Sequence, residues 1–209
     1  ELKADALLVT SPANVRYLSG YNGSNGMLLM LPGETHFFTD PRYALVTKSI
    51  PGKSHVIKGP LTAGVVKIFK QKRLRKIGFE SAWTHYEDFA KLKETLPLGA
   101  SLVPVGRIVE ERRMIKSDDE IALIRQSVRI NSDALANVLK RLRPGVTERD
   151  IAAEIDFQQK KLGAEKSSFD TIVAAGPNSA RPHAHPSARR VGANELLLID
   201  MGTFLEGYA

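Results

Sequence analysis

A change of hydrophobic rhythm at Ser117 constrains the fold of this chain more than any other feature. Ser117 followed by Glu120 has the form of a capping box, in which hydroxyl and carboxylate each satisfy a backbone donor that the first helical turn leaves without a partner. Ile121, Ile124, Val128, Leu135, Val138 and Leu142 then recur on one stripe at helical spacing. Pro144-Gly145 stops that helix. Thr147 with Asp150 has the form of a second N-terminal cap, and Ile151, Ile155 and Gln158 continue at helical spacing toward Gly163. Beyond Gly163 the period changes again: Phe169 to Ala174 is β-rich, Gly176-Pro177-Asn178-Ser179 reads as a turn, and Glu195 to Asp200 is an apolar strand ending in a carboxylate. Two helices followed by antiparallel sheet predict an α+β domain.

Before Ser117 the elements are shorter and alternate. Ala6 to Thr10, Met27 to Leu31 and His36 to Thr39 read as strands, the last two joined by a hairpin across Leu31-Pro32-Gly33-Glu34. Asp40-Pro41 ends that hairpin, since the residue before proline is pushed away from helix. A helix is expected from Arg42 to Ser49, a strand near His55 to Ile57, a helix over Leu61 to Lys70 and a strand over Lys76 to Glu80. A helix over Tyr86 to Leu96 and a strand over Ser101 to Val105 follow. This predicts an α/β layer domain over residues 1–108 and the α+β domain over 109–209, with the boundary inside the charged stretch from Val105 to Lys116.

At 209 residues, 43% apolar and 25% charged, the chain has ordinary globular usage and enough length to bury a core. Its longest apolar runs, Met27 to Leu31 and Leu196 to Ile199, are far too short to span a bilayer. No basic-then-apolar leader opens it, and the absence of Cys excludes disulfides, thiolate metal sites and a Cys nucleophile. The expected location is therefore cytoplasmic, with no membrane partner. The net charge of +7 raises the question of a polyanion partner, and Lys67, Lys70, Lys72, Arg73, Arg75 and Lys76 are its densest cluster. Those residues interleave with Val65, Val66, Ile68, Phe69 and Leu74, as the wet face of a helix followed by a strand would. With no aromatic interleaving for base stacking and no phosphate-binding glycine pattern, no nucleic-acid partner is expected.

Three positions could carry chemistry. Asp200 ends the run Leu196-Leu197-Leu198-Ile199, a pattern expected to be buried on both faces. An ionised carboxylate there is costly unless paired or metal-bound, and the competing explanation is a strand that has simply reached solvent. Met201 to Phe204 is expected to continue the strand, and Leu205-Glu206-Gly207 to turn it toward Tyr208. Such a hairpin would set a residue near position 211 opposite Asp200, on the face where two carboxylates hold a metal pair. His183 and His185 alternate around Ala184 and so point the same way in an extended segment. They suit either one metal or a loop held by imidazole hydrogen bonds. Ser179 lacks base and acid partners in triad order, which argues against a serine hydrolase.

Several motifs together resemble a known family. Asn14-Val15-Arg16-Tyr17-Leu18-Ser19-Gly20-Tyr21 with Gly23-Ser24-Asn25-Gly26, then Phe38-Thr39-Asp40-Pro41-Arg42-Tyr43, resemble the creatinase-like N-terminal domain of Xaa-Pro aminopeptidases and Xaa-Pro dipeptidases. Arg113-Met114-Ile115-Lys116-Ser117 with Glu120-Ile121 looks like the entry to their pita-bread catalytic domain. Phe169-Asp170-Thr171-Ile172-Val173-Ala174, then Gly176-Pro177-Asn178-Ser179-Ala180 and Pro182-His183, resemble the loop that carries the substrate-binding His of that family. Leu198-Ile199-Asp200-Met201-Gly202 with Gly207-Tyr208 looks like the strand carrying its first metal-ligand Asp. The motifs come in family order over essentially the whole chain.

The resemblance implies an α/β creatinase-like domain followed by the first part of an α+β pita-bread domain. It implies hydrolysis of the bond between an N-terminal residue and a following proline, with proline-containing peptides as substrates and a homodimer as the assembly. Two Asp, one His and two Glu hold two divalent ions in that family, whether manganese, cobalt, zinc or iron, and of these ligands only Asp200 lies within the chain. His183 would contact the substrate carbonyl, while His185 receives no role. Glu1 in place of Met, no opening helix and one ligand of five lead to the expectation of an inactive fragment, cut at both ends. Two rival functions share the fold: a metal-free creatine amidinohydrolase and a non-enzymatic binding module.

Overall fold

Ala6–Val9 (β1) is buried along its whole length, as a continuous apolar run is when helices cover both faces of a sheet. In the computed structural model, which describes residues 3–209, β1 lies within a six-stranded sheet. On one side it pairs antiparallel with Gly26–Leu31 (β2), which pairs antiparallel with Glu34–Thr39 (β3), and β3 pairs parallel with Lys53–Val56 (β4). On the other side it pairs parallel with Lys76–Glu80 (β5), and β5 with Ser101–Val105 (β6). The β2–β3 register closes at Leu31 opposite Glu34, across a turn in which Gly33 takes φ +72°, a conformation that costs glycine nothing.

Helices cover both faces of this sheet. Leu61–Gln71 (α2) brings Val65, Ile68 and Phe69 against Leu8, Leu29, Phe38 and Ile77, and Tyr86–Thr95 (α3) adds Leu92. On the opposite face Val15 of Pro12–Ser19 (α1) and Val109 of Ile108–Met114 (α4) join Leu7, Val9, Leu28 and Phe37. Neither α1 nor α4 shows in the sequence pattern, being only eight and seven residues long. Arg42 to Ser49, expected as one helix, is two short 3-10 turns, Pro41–Tyr43 and Val46–Ser49. The Asp40 carboxylate takes the Arg42 N–H, and Leu45 is left 85% exposed, so this segment has no apolar stripe to bury.

The chain divides into two compact units, the first ending at Ile115 and the second being Lys116–Ala209. The division falls at the far end of the charged stretch rather than at residue 108, because α4 packs Val109 into the first unit. Glu110 and Arg113 of α4 also hydrogen-bond Asn14 of α1.

In the second unit Asp118–Leu139 (α5) begins at the predicted capping box: the Glu120 N–H donates to Ser117 Oγ and the Ser117 N–H to Glu120 Oε2. Glu148–Lys161 (α6) has the same device at Thr147 and Asp150. Val138, Ile151 and Ile155 pack against Val173, Ala175 and Val191. Two short ribbons complete the unit: Lys166–Ser167 (β7) pairs with Thr203–Phe204 (β10), and Ile172–Ala175 (β8) with Leu197–Asp200 (β9), both antiparallel. The chain leaves β9 at Met201 and Gly202, so the strand does not run on to Phe204 as expected. The following turn has Glu206 (φ 51°) and Gly207 (φ 91°) between Leu205 and Tyr208, one residue beyond the centre at Leu205 and Glu206 that would set position 211 opposite Asp200. Among the described residues no helix is long and apolar enough to cross a membrane.

Candidate functional site

Asp200 ends β9 opposite Ile172 of β8. Its side chain is exposed and has no hydrogen-bond or ion-pair partner among the described residues. The burial expected for its strand is not found: Leu197, Leu198 and Ile199 are half-buried and Leu196 is 70% exposed. Here β9 has one strand neighbour, β8, and its other edge is unpaired among the described residues. Burial therefore does not compel Asp200 to bind a cation, although an open, unpaired carboxylate at a strand end is a suitable hard oxygen donor. No group of three His, Cys, Asp or Glu that could hold a metal ion gathers among the described residues. The donor type fits a divalent ion, and it is one donor.

The chain just beyond Asp200 is tightly held. Asn131 of α5 and Gln159 of α6, the latter fully buried, reach the Met201 and Gly202 carbonyls through Asn131 Nδ2 (3.4 Å) and Gln159 Nε2 (3.2 Å). Ser127 Oγ donates to the Thr203 carbonyl at 2.8 Å, and Thr203 Oγ1 to Asn131 Oδ1 at 3.1 Å. These buried polar groups satisfy one another and draw Met201 to Thr203 off the β9 line toward the helices. A Cβ on Gly202 would stand 2.7 Å from the Phe169 ring. Gly202→Ala is expected to destabilise the second unit by about 1–3 kcal/mol, read as an earlier urea midpoint in far-UV circular dichroism, and an unchanged midpoint contradicts the close packing.

His183 and His185 lie in an exposed, irregular segment after the Gly176–Ala180 turn, and neither ring has a partner among the described residues; Ala184 between them is buried. The loop leaves β8 at Ala175, the end of the ribbon away from Asp200. The structure does not gather His183, His185 and Asp200 into one ligand cluster.

What the sequence did not single out is Glu148, the first residue of α6, which is fully buried. It accepts hydrogen bonds from Ala175 N (2.7 Å), Asn178 Nδ2 (3.0 Å), Ser187 N (2.9 Å) and Ser187 Oγ (2.6 Å). Burial pushes its carboxyl up, but the donors on Ser187, Ala175 and Asn178 outweigh burial and hold it at about 2, below the ordinary 4.5. A depressed carboxylate stabilises the fold above its unfolded value and loses that contribution as pH falls through the folded one. The second unit is accordingly expected to lose stability between pH 4.5 and about 2, and Glu148→Gln to flatten that slope. An equal slope in both proteins, followed by urea unfolding across pH, contradicts this.

Comparison with known proteins places this geometry. Residues 1–115 match the model of the creatinase/prolidase N-terminal domain, and residues 122–209 that of metallopeptidase family M24. An uncharacterized peptidase of Bacillus subtilis, YqhT, is 35% identical over 213 residues, covering 100% of this chain and 59% of the relative. The Xaa-Pro dipeptidase of Bacillus anthracis superposes with TM-score 0.90 at 31% identity, over 97% of this chain and 57% of that one. The X-Pro aminopeptidase of Thermotoga maritima superposes with TM-score 0.91 at 27% identity, over 98% and 60%. The chain thus spans about three fifths of the length of the proteins it matches.

Proposed function

Because this chain belongs to the creatinase/prolidase family, its α/β N-terminal domain leading into the first part of an α+β pita-bread domain of metallopeptidase family M24, we propose that a protein built on it cleaves the bond between an N-terminal residue and a following proline. The observation that supports this best is the likeness to an Xaa-Pro dipeptidase at 31% identity and TM-score 0.90. It is joined by an open carboxylate, Asp200, where the family motif has its first metal ligand.

In this reading Asp200 supplies one carboxylate oxygen to divalent metal, with manganese, cobalt, zinc and iron all compatible with a carboxylate-rich donor set. When bound, such metal polarises the scissile carbonyl and makes hydroxide available near neutral pH. His183, exposed and without a partner among the described residues, donates a ring N–H to the substrate carbonyl oxygen and to the negative charge that grows on it. The Asn131, Gln159 and Ser127 hydrogen bonds keep the backbone beside Asp200 in place, so the carboxylate is presented without rearrangement. No covalent intermediate is required.

The test is hydrolysis of Xaa-Pro dipeptides and of longer Xaa-Pro peptides by the protein extended to the length of its relatives. Cleavage should require divalent metal and stop with chelator. Metal-independent hydrolysis of creatine, or no hydrolysis at all, overturns the reading. The protein is further proposed to act as a homodimer whose contact involves the first unit, where Trp83 and Tyr86 stand 52% and 84% exposed. Sedimentation showing only monomer at micromolar concentration contradicts that assembly.

A further inference from the structure

We propose that Glu148 is a positioning residue that fixes the loop presenting His183, by holding both ends of that loop with its two carboxylate oxygens. The proposal rests on the peptidase reading only for the role it gives His183.

The two oxygens divide their work. Oε1 accepts from Ala175 N and Asn178 Nδ2, where the loop leaves β8. Oε2 accepts from Ser187 N and Ser187 Oγ, where the loop ends, with Asn178 Nδ2 a longer 3.3 Å away. The partners lie 27 to 39 residues from Glu148 in sequence, so this one side chain ties together two points that the chain keeps apart. Glu148 is itself fixed, sitting in the first turn of α6 behind the Thr147–Asp150 capping box, where an acidic group also suits the helix dipole.

The ends have further bonds, Ser179 Oγ donating to the Gly176 carbonyl, Arg149 Nε to the Pro186 carbonyl and the Arg149 N–H to the Ser187 carbonyl, while the middle of the loop has few. The Arg181 N–H reaches the Asn178 carbonyl, but from Pro182 to His185 the described residues show no backbone hydrogen bond, and neither His ring has a partner. Ala184 is buried in this stretch. The direction of the His183 ring is therefore inherited from the backbone, and the backbone from its ends. Arg189 adds a neighbouring strap, with Nε donating to the Ala175 carbonyl and Nη2 to Glu195. Only a carboxylate suits the position of Glu148. A glutamine would turn an NH2 group toward either the Ala175 or the Ser187 N–H and leave buried donors facing each other.

A buried carboxylate with a merely structural role would, on replacement, loosen the whole second unit to the same degree. A clamp loosens residues 176–187 well beyond α5 and disturbs His183. The experiment is amide hydrogen exchange and ring-proton NMR of histidine-labelled 209-residue protein, comparing wild type, Glu148→Gln and Ser187→Ala. Glu148→Gln is expected to speed exchange in 176–187 about tenfold or more beyond whatever acceleration the lower stability of the unit gives α5, and to shift or broaden the His183 ring signal. Ser187→Ala should give a smaller change in the same segment, and it decides the matter with the same readouts if Glu148→Gln does not fold. An unchanged loop, an unmoved His183 signal, or equal acceleration across α5 and α6 overturns the proposal. In the longer protein Glu148→Gln should lower kcat for Xaa-Pro substrates at undiminished metal content. Absence of Xaa-Pro cleavage in wild type would remove the peptidase reading, while the exchange and ring measurements would still decide the clamp.

Discussion

Replacing Asp200 by Asn in the protein extended to the length of its relatives is expected to lower metal content and Xaa-Pro hydrolysis together, each by at least about a hundredfold, since even outer partners of metal ligands cost ten- to a hundredfold. Asn keeps the shape of Asp and removes its charge. The β8–β9 register and the hydrogen bonds from Ser127, Asn131 and Gln159 do not involve the Asp200 side chain, so the fold should be undisturbed. His183→Ala should behave differently. It is expected to keep metal and lower kcat by about 10² to 10³, the range for removing one donor to a developing oxyanion. Metal analysis beside steady-state kinetics separates the two, and loss of metal from His183→Ala as complete as from Asp200→Asn would mean that the division between ligand and substrate contact is wrong.

The second large effect is expected in the first unit. Glu80, 4% exposed at the end of β5, accepts hydrogen bonds from Thr10 N (2.6 Å), Ser11 N (2.8 Å) and Asn14 Nδ2 (2.6 Å). It thereby joins the exit of β1 and the start of α1 to the sheet. Asn14, fully buried, passes the connection to α4 through Glu110 (2.8 Å) and Arg113 (2.8 Å). Glu80→Ala would leave the Thr10 and Ser11 N–H groups and one of the two Asn14 Nδ2 hydrogens without an acceptor, each costing about 1–3 kcal/mol, and the expected loss is about 3–5 kcal/mol. Glu80→Gln, which keeps one acceptor oxygen, should lose less. The single tryptophan, Trp83, lies in this unit and donates through Nε1 to Glu110 at 2.9 Å, so its fluorescence during urea unfolding reports the first unit alone. A shift for Glu80→Ala below about 1 kcal/mol, the size of one ordinary hydrogen bond, would show that water replaces the carboxylate.

These two effects mark where sequence reading succeeds and where it stops. Ser117 with Glu120 and Thr147 with Asp150 are legible because all their partners lie within four residues, and both helices begin where the caps put them. The β2–β3 hairpin is legible for the same reason, its turn chemistry being local. Helices α1 and α4 are not, since what holds them, Glu80 with Asn14 and Asn14 with Glu110, spans 66 and 96 residues. Glu148 reads as an ordinary acidic residue in a first helical turn until Ala175 and Ser187 are seen to converge on it. The apolar run before Asp200 looks like a strand buried on both faces, yet with one strand neighbour it is half-exposed, and its departure at Gly202 depends on side chains of α5 and α6 that no strand pattern encodes. The candidate site was legible as residue types in family order. Its support was not.

Asp200 as a metal ligand is the claim on which the proposed chemistry stands, and anomalous diffraction tests it most directly. Crystals of the longer protein grown with manganese, with data on either side of the manganese edge, should show an anomalous peak within coordination distance of the Asp200 carboxylate, absent when Asp200→Asn crystals are treated alike. A manganese peak elsewhere, with the Asp200 carboxylate in solvent in both crystals, would contradict it.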